Sequence, residues 1–143
     1  MPIKNGILKM TDTYLPLLKG VIARLKAITA VTDVLSTRIY TDVPQNEVFP
    51  YAVISITSQD YSANDFSGMA HTIQANIYSR KNSPREIGVA RSAIYEALNR
   101  LEDSVTLDVG NMAHLHFNGV SDVFKDSDGA TWVGVIQFRA VIT

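Results

Sequence analysis

The stretch that most constrains the fold is residues 50–58, Pro-Tyr-Ala-Val-Ile-Ser-Ile-Thr-Ser, which is dense in β-branched and aromatic side chains. Such side chains fit the pleated surface of a sheet, and proline is tolerated at the first position of a strand. We therefore predict a strand here. We also expect it to be the central strand of a sheet on which the rest of the chain packs.

The composition limits what such a sheet can belong to. At 143 residues the chain favours one domain with a single core, and without cysteine it has neither disulfides nor a cysteine zinc site. Thirteen basic and fourteen acidic side chains give a net charge of −1, which argues against tight sequence-independent binding of nucleic acid. The apolar runs are too short for a bilayer span or a signal-peptide core, so we expect a protein kept in a cytoplasm.

Two segments have the spacing of amphipathic helices. Apolar residues recur every three or four positions from residue 14 to about residue 28, with Pro16 in the first turn, where its missing N–H costs little. A second helix is predicted after Ser83-Pro84-Arg85-Glu86, which has the pattern of a capping box. Residues 30–36 suggest a short turn or half-helix. The positions expected to face the sheet are Leu15, Leu18, Val21, Ile22, Leu25 and Ile28 in the first helix, and Ile87, Ala90, Ile94, Ala97, Leu98 and Leu101 in the second.

The remaining strand signals lie on both sides of the second helix. Residues 38–40 predict a brief strand, and residues 69–80 alternate between an apolar face that includes His71 and a polar face. Two long runs, residues 113–125 and 130–143, flank the turn Asp126-Ser127-Asp128-Gly129, and we prefer a β-bulge to a competing turn at Asn118-Gly119. Val105 and Leu107 are candidates for one more edge strand.

These elements predict the order helix, short strand, strand, strand, helix, strand, strand. The simplest packing is an α+β fold with a mostly antiparallel, twisted sheet of four to five strands and two helices packed on one face. We expect residues 13–143 to form this single domain and residues 1–12 to form a flexible N-terminal arm.

Few residues have a spacing that would support catalysis or metal binding. His114 and His116 would point the same way from a strand, but a metal site would need a third ligand such as His71, which nothing in the sequence fixes. Asp126 and Asp128 precede a glycine without meeting the calcium-loop pattern in any register. The sequence contains neither a nucleophile elbow nor a phosphate-binding glycine loop. We therefore expect no enzyme, no cofactor and no metal site.

Taken in order, the motifs resemble the phage tail completion or tail terminator family, small proteins of tailed bacteriophages and gene transfer agents. The resemblance covers about residues 13–142, and the order and spacing of the motifs carry it. After an N-terminal helix these motifs are Arg38-Ile39-Tyr40, Val43-Pro44-Gln45, Pro50-Tyr51-Ala52-Val53-Ile54, Asn76-Ile77-Tyr78-Ser79-Arg80, and the turn 126–129 before Gly134-Val135-Ile136-Gln137-Phe138-Arg139.

The resemblance implies a structural role at the head-to-tail joint of a virion, after assembly in the host cytoplasm. Proteins of this family form a ring, typically of six copies, that caps the tail tube, stops its polymerisation and presents a surface to the connector of the head. The implied partners are further copies of the chain, the tail tube protein and the head connector, with DNA only as passing cargo and no membrane. The family offers no catalytic residues, so Arg38, Tyr40, Pro44, Pro50 and Tyr51 are candidates for fold and interface.

Two hypotheses concern how such a ring would work. A sheet edge near residues 38–40 or in the terminal hairpin would form the joint between copies, since open edges favour pairing. If the loop of residues 59–68 faces the channel, Asp60 and Asp65 would repel DNA phosphates; the same loop could instead contact the tail tube or the connector. The alternatives are a head-closure or connector protein and a cytoplasmic ligand-binding domain with a pocket between sheet and helices.

Overall fold

Alternating apolar residues in the second half of the chain form most of a five-stranded sheet. The computed structural model describes residues 12–60 and 67–143. Within these ranges the elements are α1 (Tyr14–Ala27), α2 (Thr29–Leu35), β1 (Ile39–Tyr40), β2 (Tyr51–Asp60), β3 (Met69–Ser79), α3 (Arg85–Leu98), β4 (Met112–Lys125) and β5 (Trp132–Ile142). The predicted α+β class is confirmed, and α2 is a complete third helix where a turn or half-helix was expected.

The strand order is β1-β2-β3-β5-β4, with β1 parallel to β2 and all other pairs antiparallel. β3 is therefore the central strand, and the prediction that residues 50–58 form it is wrong. The apolar density of β2 reflects burial under the helices. Its place in the sheet is set instead by pairing with β3, since the two-residue β1 pairs only with Ala52 and Val53.

The predicted alternation of β3 is confirmed, and it divides the sheet into two unlike faces. Ile73, Ala75 and Ile77 are at most 1% exposed, and they join Phe138 of β5 and buried residues of all three helices in one core. All three helices therefore pack on this helix-covered face. The opposite face, which we call the open face, carries Thr72, Gln74, Asn76 and Tyr78 of β3, all half-buried.

The helices match their predicted segments, but two predicted core positions are wrong. Leu15 is 60% exposed, because the buried stripe of α1 runs through Leu17, Val21 and Leu25. Leu101 is 39% exposed, because α3 ends at Leu98. In α3 the buried residues are Ile87, Ala90, Ala93, Ile94, Ala97 and Leu98.

The predicted capping box does not form, although α3 begins next to Pro84 as expected. Glu86 Oε1 accepts a hydrogen bond from the hydroxyl of Ser79 at 2.6 Å, and Ser83 Oγ accepts a long one of 3.4 Å from the N–H of Arg85. Ser79 is fully buried at the end of β3 and its hydroxyl requires a partner there. The Glu86 carboxylate therefore accepts a hydrogen bond from the end of β3 and not from the N–H of Ser83, as a capping box would require.

The terminal hairpin and its bulge are confirmed. Gly129 has φ 72°, and the turn carboxylate of Asp128 accepts hydrogen bonds from the Thr131 hydroxyl and from the N–H groups of Ala130 and Thr131, which lower the pKa of Asp128 to about 2. The register shifts between Phe117 and Ser121, where Gly119 has φ 88°.

Val105 and Leu107, the candidates for one more edge strand, do not form a strand. A 3₁₀ turn at Glu102–Ser104 precedes this stretch, and Val105 is buried where Gly20 lets α1 approach closely. No helix in the described ranges is long and apolar enough to cross a membrane.

Candidate assembly interface

The start of β2 is fixed to β1 by two hydrogen bonds around Arg38. The N–H of Ala52 donates to the Arg38 carbonyl at 3.0 Å, and Nε of Arg38 donates to the Pro50 carbonyl at 2.7 Å. The Phe49-Pro50 peptide bond is cis. The guanidinium of Arg38 thus bonds the turn into β2 while its backbone continues the sheet.

Next to this joint lies a group of four rings that we call the aromatic cluster: Tyr40, Phe49, Tyr51 and Tyr78. The Tyr51 ring centroid lies 6.1 Å from that of Tyr40, 5.1 Å from that of Phe49 and 5.0 Å from that of Tyr78, on which it stacks. The Arg80 guanidinium lies over the Phe49 ring at 4.4 Å, within the range of a cation–π contact. Burial, with a smaller contribution from the charge of Glu47, raises the pKa of the Tyr51 phenol.

The cluster is only partly covered by the rest of the described chain. Tyr51 is 8% exposed, but Tyr40, Phe49 and Tyr78 are half-buried. In the loop that leads to the cluster, Val48 is 60% exposed and Val43 is 37% exposed. Partly exposed aromatic rings next to an exposed apolar loop residue are typical of surfaces that another protein covers.

The cluster continues across the open face as an apolar row. Tyr51 pairs with Tyr78, Tyr78 with Val133, and Val133 with Phe124 of β4. Phe124 is 42% exposed, whereas Val133 beside it is buried. One end of the open face is therefore apolar from β2 to β4.

The middle of the open face is a chain of amides that we call the amide ladder. Asn118 donates to Gln137 Oε1 at 3.2 Å, Gln137 donates to Gln74 Oε1 at 2.7 Å, and Gln74 donates to Asn76 Oδ1 at 2.9 Å. Asn76 reaches the Tyr78 hydroxyl at 3.4 Å, which joins the ladder to the aromatic cluster. The result is a polar, uncharged strip across three strands.

The outer edge of β4 is closed along only half of its length. The N–H of Leu115 donates to Glu102 Oε2 at 3.1 Å, its carbonyl accepts from the N–H of Arg100 at 2.9 Å, and the N–H of Phe117 donates to Asn99 Oδ1 at 2.8 Å. Hydrogen bonds from its own backbone N–H and, to a smaller extent, from the N–H of Leu115 lower the pKa of the Glu102 carboxyl below its ordinary value. Residues 99–102 thus cover β4 before the bulge and leave it uncovered beyond.

The structure brings most of the predicted interface residues together. Arg38, Tyr40, Pro50 and Tyr51 meet at the joint of β1 and β2. Pro44 does not join them and is exposed in the loop of residues 41–49. Of the channel-loop residues, Asp60 is exposed at the end of β2, and Asp65 lies outside the described residues. Residues 1–11 of the predicted arm also lie outside them.

The three histidines do not converge. Both ring nitrogens of His71 are engaged, Nδ1 at 2.7 Å from Ser58 Oγ and Nε2 at 2.8 Å from Thr13 Oγ1. His114 is exposed and His116 half-buried on the open face. The described ranges contain no group of three or more potential metal ligands.

A cavity of about 390 Å³ lies on the surface between α2 and the start of α3. The cavity is lined by acidic, basic, polar and apolar residues: Asp33, Val34, Lys81, Ser83, Arg85, Glu86 and Val89. A second cavity of about 260 Å³ lies between α3 and the sheet, where the ligand-binding alternative expects a pocket, and is lined by Arg91, Ser92, Tyr95, Phe117, Ser121 and Ile136.

Sequence reasoning missed the amide ladder and the cover on β4. The alternating Gln74 and Asn76 were visible as the polar face of a strand, but their bonding to Gln137 depends on β5 lying next to β3. The cover depends on positive φ at Arg100, which no turn residue marks in the sequence.

Comparison with known proteins places this geometry in a known context. The family model described as tail completion protein gp17 matches residues 19–143. A chain from the structure titled "Virion of native gene transfer agent (GTA) particle" has a similar fold, with a TM-score of 0.82 at 18% identity, over 92% of this chain and 98% of that one. No curated protein matches the chain in sequence.

Proposed function

Because the chain belongs to the family of tail completion protein gp17, it is a structural protein of the virion tail, and we propose that it is the tail terminator. In this role six copies close into a ring that caps the tail tube and ends its polymerisation. The other rim of the ring receives the connector of the filled head. DNA passes through the channel without a specific site.

The aromatic cluster is the observation that supports this function best. A closed ring needs contacts in which one patch of each copy meets a different patch on the next, and it also needs two rims that fit different proteins. The aromatic cluster, with the adjoining Val48, presents partly exposed apolar surface at one end of the sheet, whereas the side chains of the amide ladder are polar. The net charge of −1 leaves little repulsion between copies.

The test is complementation in a phage or gene transfer agent that lacks this gene. We expect tails of irregular and excessive length without attached heads, measured by negative-stain electron microscopy, and normal particles when the wild-type gene is supplied. Tails of normal length beside heads that lose their DNA would contradict termination and indicate head closure instead.

Two variants with equally exposed side chains link this test to the cluster. Val48 and Leu15 are both 60% exposed, but Val48 lies beside the aromatic cluster and Leu15 lies on α1. A buried carboxylate without a partner is costly in any interface. We therefore expect Val48→Asp to fail in restoring tail length and Leu15→Asp to restore it. Equal complementation by both would remove the cluster from the interface.

We further propose that the loop after β2 faces the channel, with Asp60 and Asp65 repelling the phosphates of passing DNA. Support comes from the exposure of Asp60 where β2 ends. The double variant Asp60→Lys with Asp65→Lys should assemble normally and slow DNA ejection. Normal ejection kinetics in that variant would mean that the loop faces away from the channel.

A further inference from the structure

The two edges of the sheet are each half covered, and the uncovered halves lie at opposite ends. On β4, residues 99–102 bond the outer backbone groups of Leu115 and Phe117. No strand of the described chain pairs with residues 121–125 on that side, although Arg91 of α3 donates to the Ser121 hydroxyl at 2.7 Å. We call residues 121–125 the β4 free segment. Outer backbone groups alternate along a strand, which assigns them here to Ser121, Val123 and Lys125.

On β2 the cover is the two-residue β1. Its pairing ends at Val53, and the N–H of Ala52 points towards it. By the same alternation the outer backbone groups further along belong to Ile56 and Ser58, and no described strand pairs with them on that side. We call residues 55–58 the β2 free segment.

The register shows how far apart the two free segments lie along the strands. Val123 is level with Ala52, through Gly134 and Ile77. Thr57, one of the two central residues of the β2 free segment, lies five residues beyond Ala52. At about 3.4 Å per residue this is an offset of about 17 Å along the strand direction.

We propose that the β4 free segment of one copy pairs with the β2 free segment of the next, so that one sheet runs continuously around the ring. The inference rests on the proposed ring and specifies its joint. β2 and β4 run in opposite directions, since three antiparallel pairings separate them. Rotation about the ring axis preserves strand direction, so the new pair is antiparallel.

The partner is a second copy because the two segments complement each other and neither complements itself in a ring. Pairing of β4 with another β4 would be isologous and would stop at a dimer. The two segments have similar lengths, and each carries a half-buried apolar residue on the helix-covered face, Val123 and Ile56. The only charged residues in either segment are Asp122 and Lys125, so no like charges face each other across the joint.

The offset also fixes how the strands lie in the ring. Neighbouring copies in a ring are related by rotation alone, so the two free segments must lie at the same height along the axis. Three spacings within the sheet and one across the joint span about 19 Å, and an offset of about 17 Å over that width needs a tilt of about 42° between strands and axis. This value falls in the range of about 35–45° that closed barrels adopt.

In the single chain, one local hydrogen bond already occupies an outer backbone N–H of the β4 free segment. The N–H of Val123 donates to the carboxylate of Asp122, which is exposed, at 2.8 Å. A charged side chain on an open edge discourages indiscriminate pairing. Pairing with the next copy exchanges this local bond for a bond to the neighbouring strand.

Cysteine pairs test the joint directly, because the chain has no cysteine of its own. Thr57 faces Asp122 if Val123 pairs with Ile56, and it faces Phe124 if Val123 pairs with Ser58. Cross-strand neighbours of this kind have Cα atoms about 4.5 Å apart, which a disulfide can bridge. The variants are therefore T57C/D122C and T57C/F124C, with T57C/H114C as control on the covered half of β4.

After oxidation of assembled rings, we expect one of the first two variants to give a ladder of covalent oligomers on a non-reducing gel. The ladder should end at the copy number of the ring, and the single variant T57C and the control T57C/H114C should give no ladder. Rings that electron microscopy shows to be intact, without a ladder in either test variant, would overturn the joint and leave tail termination standing. Failure of the wild-type chain to form rings would overturn both.

Discussion

The two faces of the sheet are built from the same strands and differ in almost every physical property. On the helix-covered face, Ile73, Ile77 and Phe138 have no exposed surface. The residues between them on the open face are polar or aromatic, half-buried and bonded to one another, as in the 2.7 Å contact of Gln137 with Gln74. Stability therefore rests on the helix-covered face, and the proposed function would use the other face of the same sheet for contacts with further proteins.

The open face can carry this second role because its bonds contribute little to folding. A hydrogen bond between half-exposed amides replaces bonds to water and adds about 0.5–1.5 kcal/mol at most. Aliphatic side chains on the other face each contribute about 1.5–3 kcal/mol through burial. Substitutions should therefore separate by face: those on the helix-covered face lower the free energy of unfolding, and those on the open face affect assembly.

The largest difference is expected between two phenylalanines on neighbouring strands. Phe138→Ala removes a fully buried ring that meets Phe117 edge to face at 6.3 Å, and it should cost about 3–5 kcal/mol of unfolding free energy. Phe124→Ala on the open face removes a ring that is 42% exposed and should cost less than about 1 kcal/mol. Urea unfolding of the two variants measures both values, and similar losses would contradict the division between faces.

A glycine pair sharpens the comparison where α3 packs on β5. A Cβ at Gly134, on the helix-covered face, would overlap the Ile87 side chain, so Gly134→Ala should cost about 1–3 kcal/mol. Gly88, one residue from Ile87 in α3, has open space around it, and Gly88→Ala should gain about 0.5–1 kcal/mol through helix propensity. The shifts in the urea midpoint should have opposite signs; a gain in Gly134→Ala would show that α3 moves freely on the sheet.

The sequence predicted the elements of both faces better than their arrangement. Alternation in β3 and the glycine turn before β5 are local signals, so strand bounds and the bulge at Gly119 were found from them. The place of β2 beside the edge was missed because strand order depends on which long runs pair, and that information lies in contacts distant in sequence.

The same limit applies to the candidate interface. We named Arg38, Tyr40 and Tyr51 because the family pattern contains them. Such a pattern already reflects which residues pack together in the folded proteins. The roles of Glu86 and Glu102 could not be predicted, since each carboxylate bonds a group that only the folded chain brings near it. A capping pattern in sequence predicts where a helix starts but cannot show which donor competes for its glutamate.

The smallest effect is expected from pH, through His71 at the far end of the helix-covered face. The residue is 1% exposed, and burial lowers the pKa of its imidazole below the ordinary 6.5, although the charge of Asp12 acts in the opposite direction. The unfolded chain therefore binds this proton more readily than the folded one. Stability falls as pH decreases from about 6.5 to the lowered pKa and then becomes level.

The variant His71→Gln isolates this contribution. Urea midpoints of wild type and variant, measured between about pH 5 and pH 8, should show a smaller loss on acidification in the variant. The effect stays below the packing losses because the hydroxyls of Ser58 and Thr13 can both accept N–H bonds from a charged ring. The opposite result, in which acidification stabilises the wild type relative to H71Q, would mean that the folded chain stabilises the charged imidazole. This end of the helix-covered face would then accommodate a buried charge.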